Sequence, residues 1–327
     1  MKRLLAASFL LTAAVLFLPV LAVGGTGDVH EPAATEAPEH ASKKAEKLGT
    51  DSKRSVTVLV DGKESEMSVH DYLVGVVSAE MPVSFEEEAL KAQAVAARSY
   101  LQWSLDGTSK HEGADICSDS ACCQAYLTEE KLREGWGDKY DACIERIESA
   151  VSETDGEYLC YKGEPALTAF HSSSSKMTED SSRVWNGLPY LRSVDTPEGE
   201  KDVPDFVSTV TLSELDFRDT VLYAKPEADM TGEAMQWLGE TVRTESGRVE
   251  SITVGGAGFT GAELRSLFSL RSTNFELTYA DGEFTFTVLG YGHGVGMSQY
   301  GANVMAKDGS DHRAILSHYY PGTELVT

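Results

Sequence analysis

No block of lysine and arginine offsets the acid in this chain. Its 28 basic side chains stand against 52 aspartates and glutamates, a net charge of -24 with a pI near 4.7. Binding through phosphate neutralisation needs the opposite balance, so nucleic acid is excluded as a partner. Anionic wall polymers gain nothing electrostatically from such a surface either, so affinity for cell wall would have to come from a shaped groove. Long apolar runs are scarce: only Leu4 to Val23 approaches the 20 or so residues, roughly 30 Å as a helix, that cross a bilayer. The cysteines number five, which excludes a fully paired disulfide framework. Neither H-E-x-x-H, G-x-S-x-G nor G-K-[ST] occurs, which removes the common zinc-peptidase, nucleophile-elbow and phosphate-loop signatures.

What is present begins with a compartment signal. Lys2 and Arg3 precede the apolar run, so the first residues stay cytoplasmic and the remainder is exported. Val20-Leu21-Ala22 also offers a signal peptidase site, so a retained anchor over residues 1–23 and a cleaved signal are both open. Residues 24–52 are rich in Gly, Ala, Pro, Glu and Lys without hydrophobic period and read as a tether, with His30 and His40 solvated.

The folded unit is expected over 53–327. Val56 to Val60, the turn dipeptide Asp61-Gly62 and a return over Ser65 to Val69 predict a hairpin. Ser84 and Glu87 form the S-x-x-E pattern of a capping box, followed by a helix through Trp103 with Leu90, Ala94, Ala97 and Leu101 on its buried face. Strands are expected at 157–161, 167–171, 251–254 and 284–289, and helices at 212–222, 232–242, 301–307 and 312–319. Without repeats or βαβ alternation the class is α+β, with mixed helices and mainly antiparallel strands in one large or two-lobed domain. The charged, proline-bearing stretch Glu198 to Asp205 is the candidate boundary.

Four groups of residues could carry chemistry. Glu80 follows the apolar stretch Tyr72 to Val77 and stands just before Pro82 and the capped helix. Apolar neighbours can raise its pKa, and a carboxyl kept protonated near neutral pH is the general acid that glycosidic cleavage needs; a solvated carboxylate ahead of a helix is the plainer alternative. His111, Cys117, Cys122 and Cys123 supply four metal-type ligands within thirteen residues. A filled Cys₃His shell leaves no position for an activated water, so zinc here would be structural. A Cys117–Cys122 disulfide is the rival in an exported protein. His171 to Ser175 reads as a polar loop rather than a nucleophile. Four glycines between Gly292 and Gly301 bring the backbone close to something, with His293, Gln299 and Tyr300 offering hydrogen bonds at a cleft.

Ala79 to Tyr100 resembles one signature of the stage II sporulation protein D family, and Gly292 to Ala302 is similar to its other signature. The resemblance covers about Val56 to the C-terminus. It implies a membrane-anchored enzyme with its C-terminal domain outside the cytoplasm, in the space between mother cell and forespore. It implies lytic transglycosylase activity on peptidoglycan glycan strands, with Glu80 as general acid and base and one structural zinc ion. It further implies an amidase or endopeptidase partner and a membrane engulfment complex. Some relatives instead activate an amidase without catalysis. Carried over with the motifs as substrate-binding residues are Arg98, His171, Ser172, Ser174, Tyr190, Arg192, His293, Gln299 and Tyr300, with Trp185 as a further sugar platform. Arg98 lies fourteen residues past Ser84, about 21 Å along a helix, so it reaches Glu80 only if the chain folds back. Two departures stand out: Cys122 replaces the second His of the family's metal set, and Ser175-Lys176 replaces its Gly pair.

Overall fold

The structure is a computed structural model that describes residues 50–107 and 110–327. The expected membrane helix at 1–23, residues 24–49 of the expected tether at 24–52 and both of its histidines lie outside the described residues. Among those described, no helix is long and apolar enough to cross a membrane.

The hairpin forms as expected: β1 (Ser55–Val60) pairs antiparallel with β2 (Lys63–Ser68). Asp61 and Gly62 turn it with φ of 48° and 78°, both positive as a tight two-residue hairpin requires. Helix α1 (Val69–Glu80) then begins where a strand end was expected. Ser68 caps it by accepting from Asp71 N–H at 3.0 Å, and Val69, Tyr72, Leu73, Val76 and Val77 bury one face at helical spacing. Pro82 ends it, because the residue before a proline is driven to extended backbone and Met81 has φ −120°, ψ 140°. Glu80 is thus the last residue of a helix.

Helix α2 (Glu87–Asp106) is the centre of the first lobe. Leu90, Ala94, Ala97 and Leu101 are fully buried, and the small Ala92 and Ala96 are buried with them, so α2 is covered on several sides. The expected capping box is not made: the N-cap is Glu86, without a side-chain cap, and Ser84 is exposed. Glu86 N–H donates instead to Asn303 Oδ1 at 2.8 Å, a tertiary bond in place of the local one. A long loop carries β3 (Ile116–Cys117), parallel to β1. Helices α3 (Glu129–Trp136) and α4 (Tyr140–Glu153) follow; both were missed from sequence, being highly charged with few buried residues. Short strands β4 (Tyr158–Tyr161), β5 (Glu164–Pro165) and β6 (Phe170–His171) complete this part.

The second lobe starts just past the expected boundary. It contains β7 (Val207–Ser213), α5 (Glu214–Ala224), β8 (Leu238–Arg243), β9 (Val249–Val254), β10 (Ala257–Thr260), α6 (Gly261–Leu267), β11 (Phe275–Ala280) and β12 (Glu283–Leu289). Two three-stranded antiparallel sheets, ordered β11-β12-β7 and β10-β9-β8, enclose a core rich in Phe217, Phe268, Phe284, Phe286 and Trp237. The helix expected at 232–242 is instead a short turn, Ala234–Trp237, leading into β8, because pairing with β9 overrides local propensity. The lobe's ends meet: Gly290 N–H donates to Phe206 O at 2.9 Å.

The chain then returns to the first lobe as β13 (Met297–Ser298), α7 (Gln299–Lys307), α8 (His312–Tyr319) and β14 (Glu324–Val326). β13 lies parallel to β6 and β14 antiparallel to β4. Met297, Ile315, Leu316, Tyr319 and Tyr320 share one core with Val56, Tyr72 and Leu90, so the first lobe is closed by both ends of the folded chain.

Candidate active site

Glu80 projects from the C-terminal end of α1 into a partly buried position. Its Oε1 accepts from Ala125 N–H at 2.9 Å, and its Oε2 from Gln299 Nε2 at 3.2 Å. Burial pushes the carboxyl pKa above its ordinary value, and these two donors pull it back only in part. No charged side chain enters that balance. The negative end of the α1 dipole acts in the same sense as burial. A carboxyl so placed can give up a proton and take one back.

The loop that supplies Ala125 also carries the candidate metal ligands. Ligand atoms of His111, Cys117, Cys122 and Cys123 all lie within 4.8 Å of one another. His111 Nε2 stands 3.4 Å from Cys123 Sγ and 3.7 Å from Cys122 Sγ, and the two sulfurs are 3.9 Å apart. The edges of a tetrahedron of zinc–sulfur and zinc–nitrogen bonds are about 3.5–3.8 Å, so the donor set and its spacing fit that ion. All five cysteines are free thiols, so no Cys117–Cys122 disulfide closes the loop. Burial pushes the Cys117 thiol up to about 12, so a thiolate there needs a cation beside it. Immediately after this cluster, Gln124 Nε2 donates to Tyr72 Oη at 3.1 Å and to Ala97 O at 3.3 Å. The loop is thereby fastened to α1 and α2 one residue before it reaches Glu80.

A second buried polar network lies where the lobes meet. His171 Nδ1 donates to Val295 O at 3.2 Å, which leaves Nε2 to accept from Ser174 Oγ at 2.6 Å. Ser174 is wholly buried, so this contact organises the loop and offers no nucleophile to a substrate. Arg248, from the second lobe, donates to Ser174 Oγ at 3.0 Å. Ser174 N–H and Ser298 Oγ donate to the buried Glu198, which Thr196 also reaches. Glu179 Oε2 accepts from Thr244 Oγ1 at 2.6 Å and Ser246 Oγ at 2.8 Å, a second tie between lobes. Burial, with Arg248 and Arg265 close by, pushes His293 down to about 3, so its ring is neutral. That ring stands edge-on to Trp185, with centroids 5.1 Å apart. Gly296, at φ 72°, is required because a Cβ there would overlap Ala169 O.

The sequence-predicted residues therefore separate. Gln299 reaches Glu80, and Tyr300 packs edge-on against Phe85 at 4.9 Å. Ser172 O accepts from Tyr300 N–H. Arg98 does not face a substrate: it is fully buried, donating to Asp51 Oδ2 through Nε at 2.8 Å and to Glu157 O at 3.0 Å. Asp51, assigned to the tether from sequence, is itself buried in the fold. Tyr190 is likewise a core residue, its hydroxyl accepting from Leu167 N–H at 2.9 Å. Arg192 is exposed, with Nε bound to Pro189 O. At the replaced glycine pair, Lys176 itself takes φ 67°, so the loop keeps a left-handed residue without the glycine. Sequence reasoning missed Gln93, Glu179, Glu198 and Arg248. The one available signal was Gln93, a lone amide inside the apolar run Ala92 to Ala97.

Comparison with known proteins adds an independent line. The profile of a family described as "Stage II sporulation protein" matches residues 62–161. The chain is 34% identical over 322 residues to stage II sporulation protein D of Bacillus amyloliquefaciens, covering 97% of this chain and 92% of that protein. Against the protein of the same name from Bacillus subtilis, identity is 32% over 339 residues, 99% and 96% of the two chains. A Bacillus subtilis protein named amidase enhancer is 30% identical over 311 residues, which is 78% of this chain and 40% of that one.

Proposed function

Since the chain belongs to the stage II sporulation protein D family, we propose that it is a peptidoglycan lytic transglycosylase acting in wall remodelling during engulfment. Its substrate is glycan stripped of stem peptides by a partner amidase, and its C-terminal domain works outside the cytoplasm, tethered by residues 1–23. The observation that carries this reading is Glu80: a partly buried carboxyl with two neutral donors, a raised pKa and no charged partner.

Protonated Glu80 donates to the glycosidic oxygen between N-acetylmuramic acid and N-acetylglucosamine as positive charge develops at C1. The C1–O bond breaks, and the muramic acid 6-hydroxyl forms the new bond to C1. Ionised Glu80 takes the proton from that hydroxyl, leaving a 1,6-anhydro end and a regenerated acid. One carboxyl serves both steps, so no second catalytic acid is needed. Trp185, His293 and Tyr300, each partly exposed, would serve as sugar contacts. His111, Cys117, Cys122 and Cys123 would hold one zinc ion, which fixes the loop and so the Ala125 N–H against Glu80.

Peptide-free glycan strands incubated with the protein and with its Glu80→Gln variant, followed by mass spectrometry of the ends, test this. Products lighter by one water than hydrolytic ones, absent with the variant, support the transglycosylase. Ends carrying added water would make the enzyme a hydrolase. The relative named amidase enhancer favours a second reading, a glycan-binding activator of an amidase. Binding without cleavage by either protein would select it.

A further inference from the structure

Gln93 lies in the middle of α2, wholly buried. Its Oε1 accepts from Gln299 Nε2 at 3.4 Å, the same nitrogen that donates to Glu80 Oε2 at 3.2 Å. An amide nitrogen has two hydrogens, so Gln299 gives one to each acceptor. Gln93 Nε2 is then a buried donor without a partner. Such a group is rare in a folded protein and calls for a reason.

The arrangement suits an ionised Glu80, whose Oε2 can only accept. A proton carried on Oε2 towards Gln299 turns it into a donor there and meets the hydrogen of Gln299 head-on. A half-turn of the Gln299 amide would present its oxygen to that proton, and the same oxygen would then face Gln93. A half-turn of Gln93 brings its unpartnered N–H₂ onto that oxygen. An unpartnered carbonyl replaces an unpartnered N–H₂, which is the less costly of the two. We propose that Gln93 and Gln299 are a pair of amides that turn over together with the proton on Glu80, Gln93 acting as the positioning residue. The pair lets one carboxyl be satisfied as acid and as base in turn. This inference rests on the reading of Glu80 as the proton-transferring group. The other influences on the carboxyl are its burial and the Ala125 N–H.

Side-chain amide NMR of the whole protein across pH tests the pair without reference to cleavage. The Gln93 and Gln299 ¹⁵N–¹H₂ resonances are expected to shift with one common midpoint, shared by the Glu80 carboxyl carbon. In Glu80→Gln both should lose that midpoint. A Gln93 resonance that stays still while Glu80 titrates overturns the proposal. In Gln93→Leu the Glu80 midpoint should fall by about half a unit, roughly threefold in proton affinity, and the pH–rate profile should move with it. A rate lowered equally at every pH, with the Glu80 midpoint unchanged, would mark Gln93 as merely structural. If the amides titrate together but no glycan is cut, the pair stands and the transglycosylase reading falls.

Discussion

A carboxyl whose pKa burial raises is least favourable to the fold when ionised. Burial raises the folded pKa of Glu80 above the unfolded one, so the carboxyl begins to subtract from stability as pH rises past its unfolded value, and that loss vanishes as pH falls below about 4.3. Glu80→Gln is expected to abolish about 10²–10⁴-fold of the cleavage rate while raising Tm at pH 7, with the two melting curves converging near pH 4. Calorimetry over that range checks it; equal Tm values at pH 7 would refute the raised pKa. Arg98 behaves in the opposite way. Arg98→Met leaves buried Asp51 with only the longer Arg54 contact at 3.8 Å and should cost about 3–5 kcal/mol, read by denaturant unfolding, with glycan binding by the folded fraction unchanged. The two residues also show what sequence can reveal. Glu80 was legible because its apolar approach and Pro82 are its neighbours in the chain. Arg98 was not, because its partner Asp51 is 47 positions away, and Gln93, a lone amide in an apolar run, shows its role only once Gln299 is seen beside it.

Among the elements, the loop between α2 and α3 has the greatest leverage over the site. Its candidate ligands sit at residues 111–123, and the N–H it gives to Glu80 comes two residues later. One zinc ion per chain is expected by native mass spectrometry. Its removal by chelation should lower Tm and raise the Glu80 midpoint further, since Ala125 N–H favours the ionised form. A Tm and midpoint indifferent to chelator would exclude this role. Helix α8 was predicted residue for residue because its signals are local: Asp311 accepts from Ala314 N–H at 2.8 Å and Ile315, Leu316 and Tyr319 make the buried face. Strand β8 was mistaken for helix because its reason for being extended is β9, which lies beyond any local window.

At the scale of the molecule, two cores hold two lobes, and the second draws its core wholly from residues 217–288. Residues 206–290 alone are therefore expected to fold, giving a single cooperative melt by circular dichroism; a fragment without a transition would show that the seam is indispensable. That seam is polar, running through Glu179 with Thr244 and Ser246, Arg248 with Ser174, and Arg183 with Glu250 at 2.7 Å. The two-lobed outline could be read from composition near 198–205, but the return of the chain could not, because nothing local says that Met297 will lie beside Phe170. That return has a temporal side. A ribosome delivers Glu80 early and Gln299 among the last 29 residues, after the whole inserted lobe has emerged. The nascent chain can make the cysteine-bearing loop and much of the α2 packing, yet Glu80 lacks its Gln299 donor until the final helices arrive. The chemistry proposed for Glu80, assembled last in this way, would be withheld from any chain ended before Gln299.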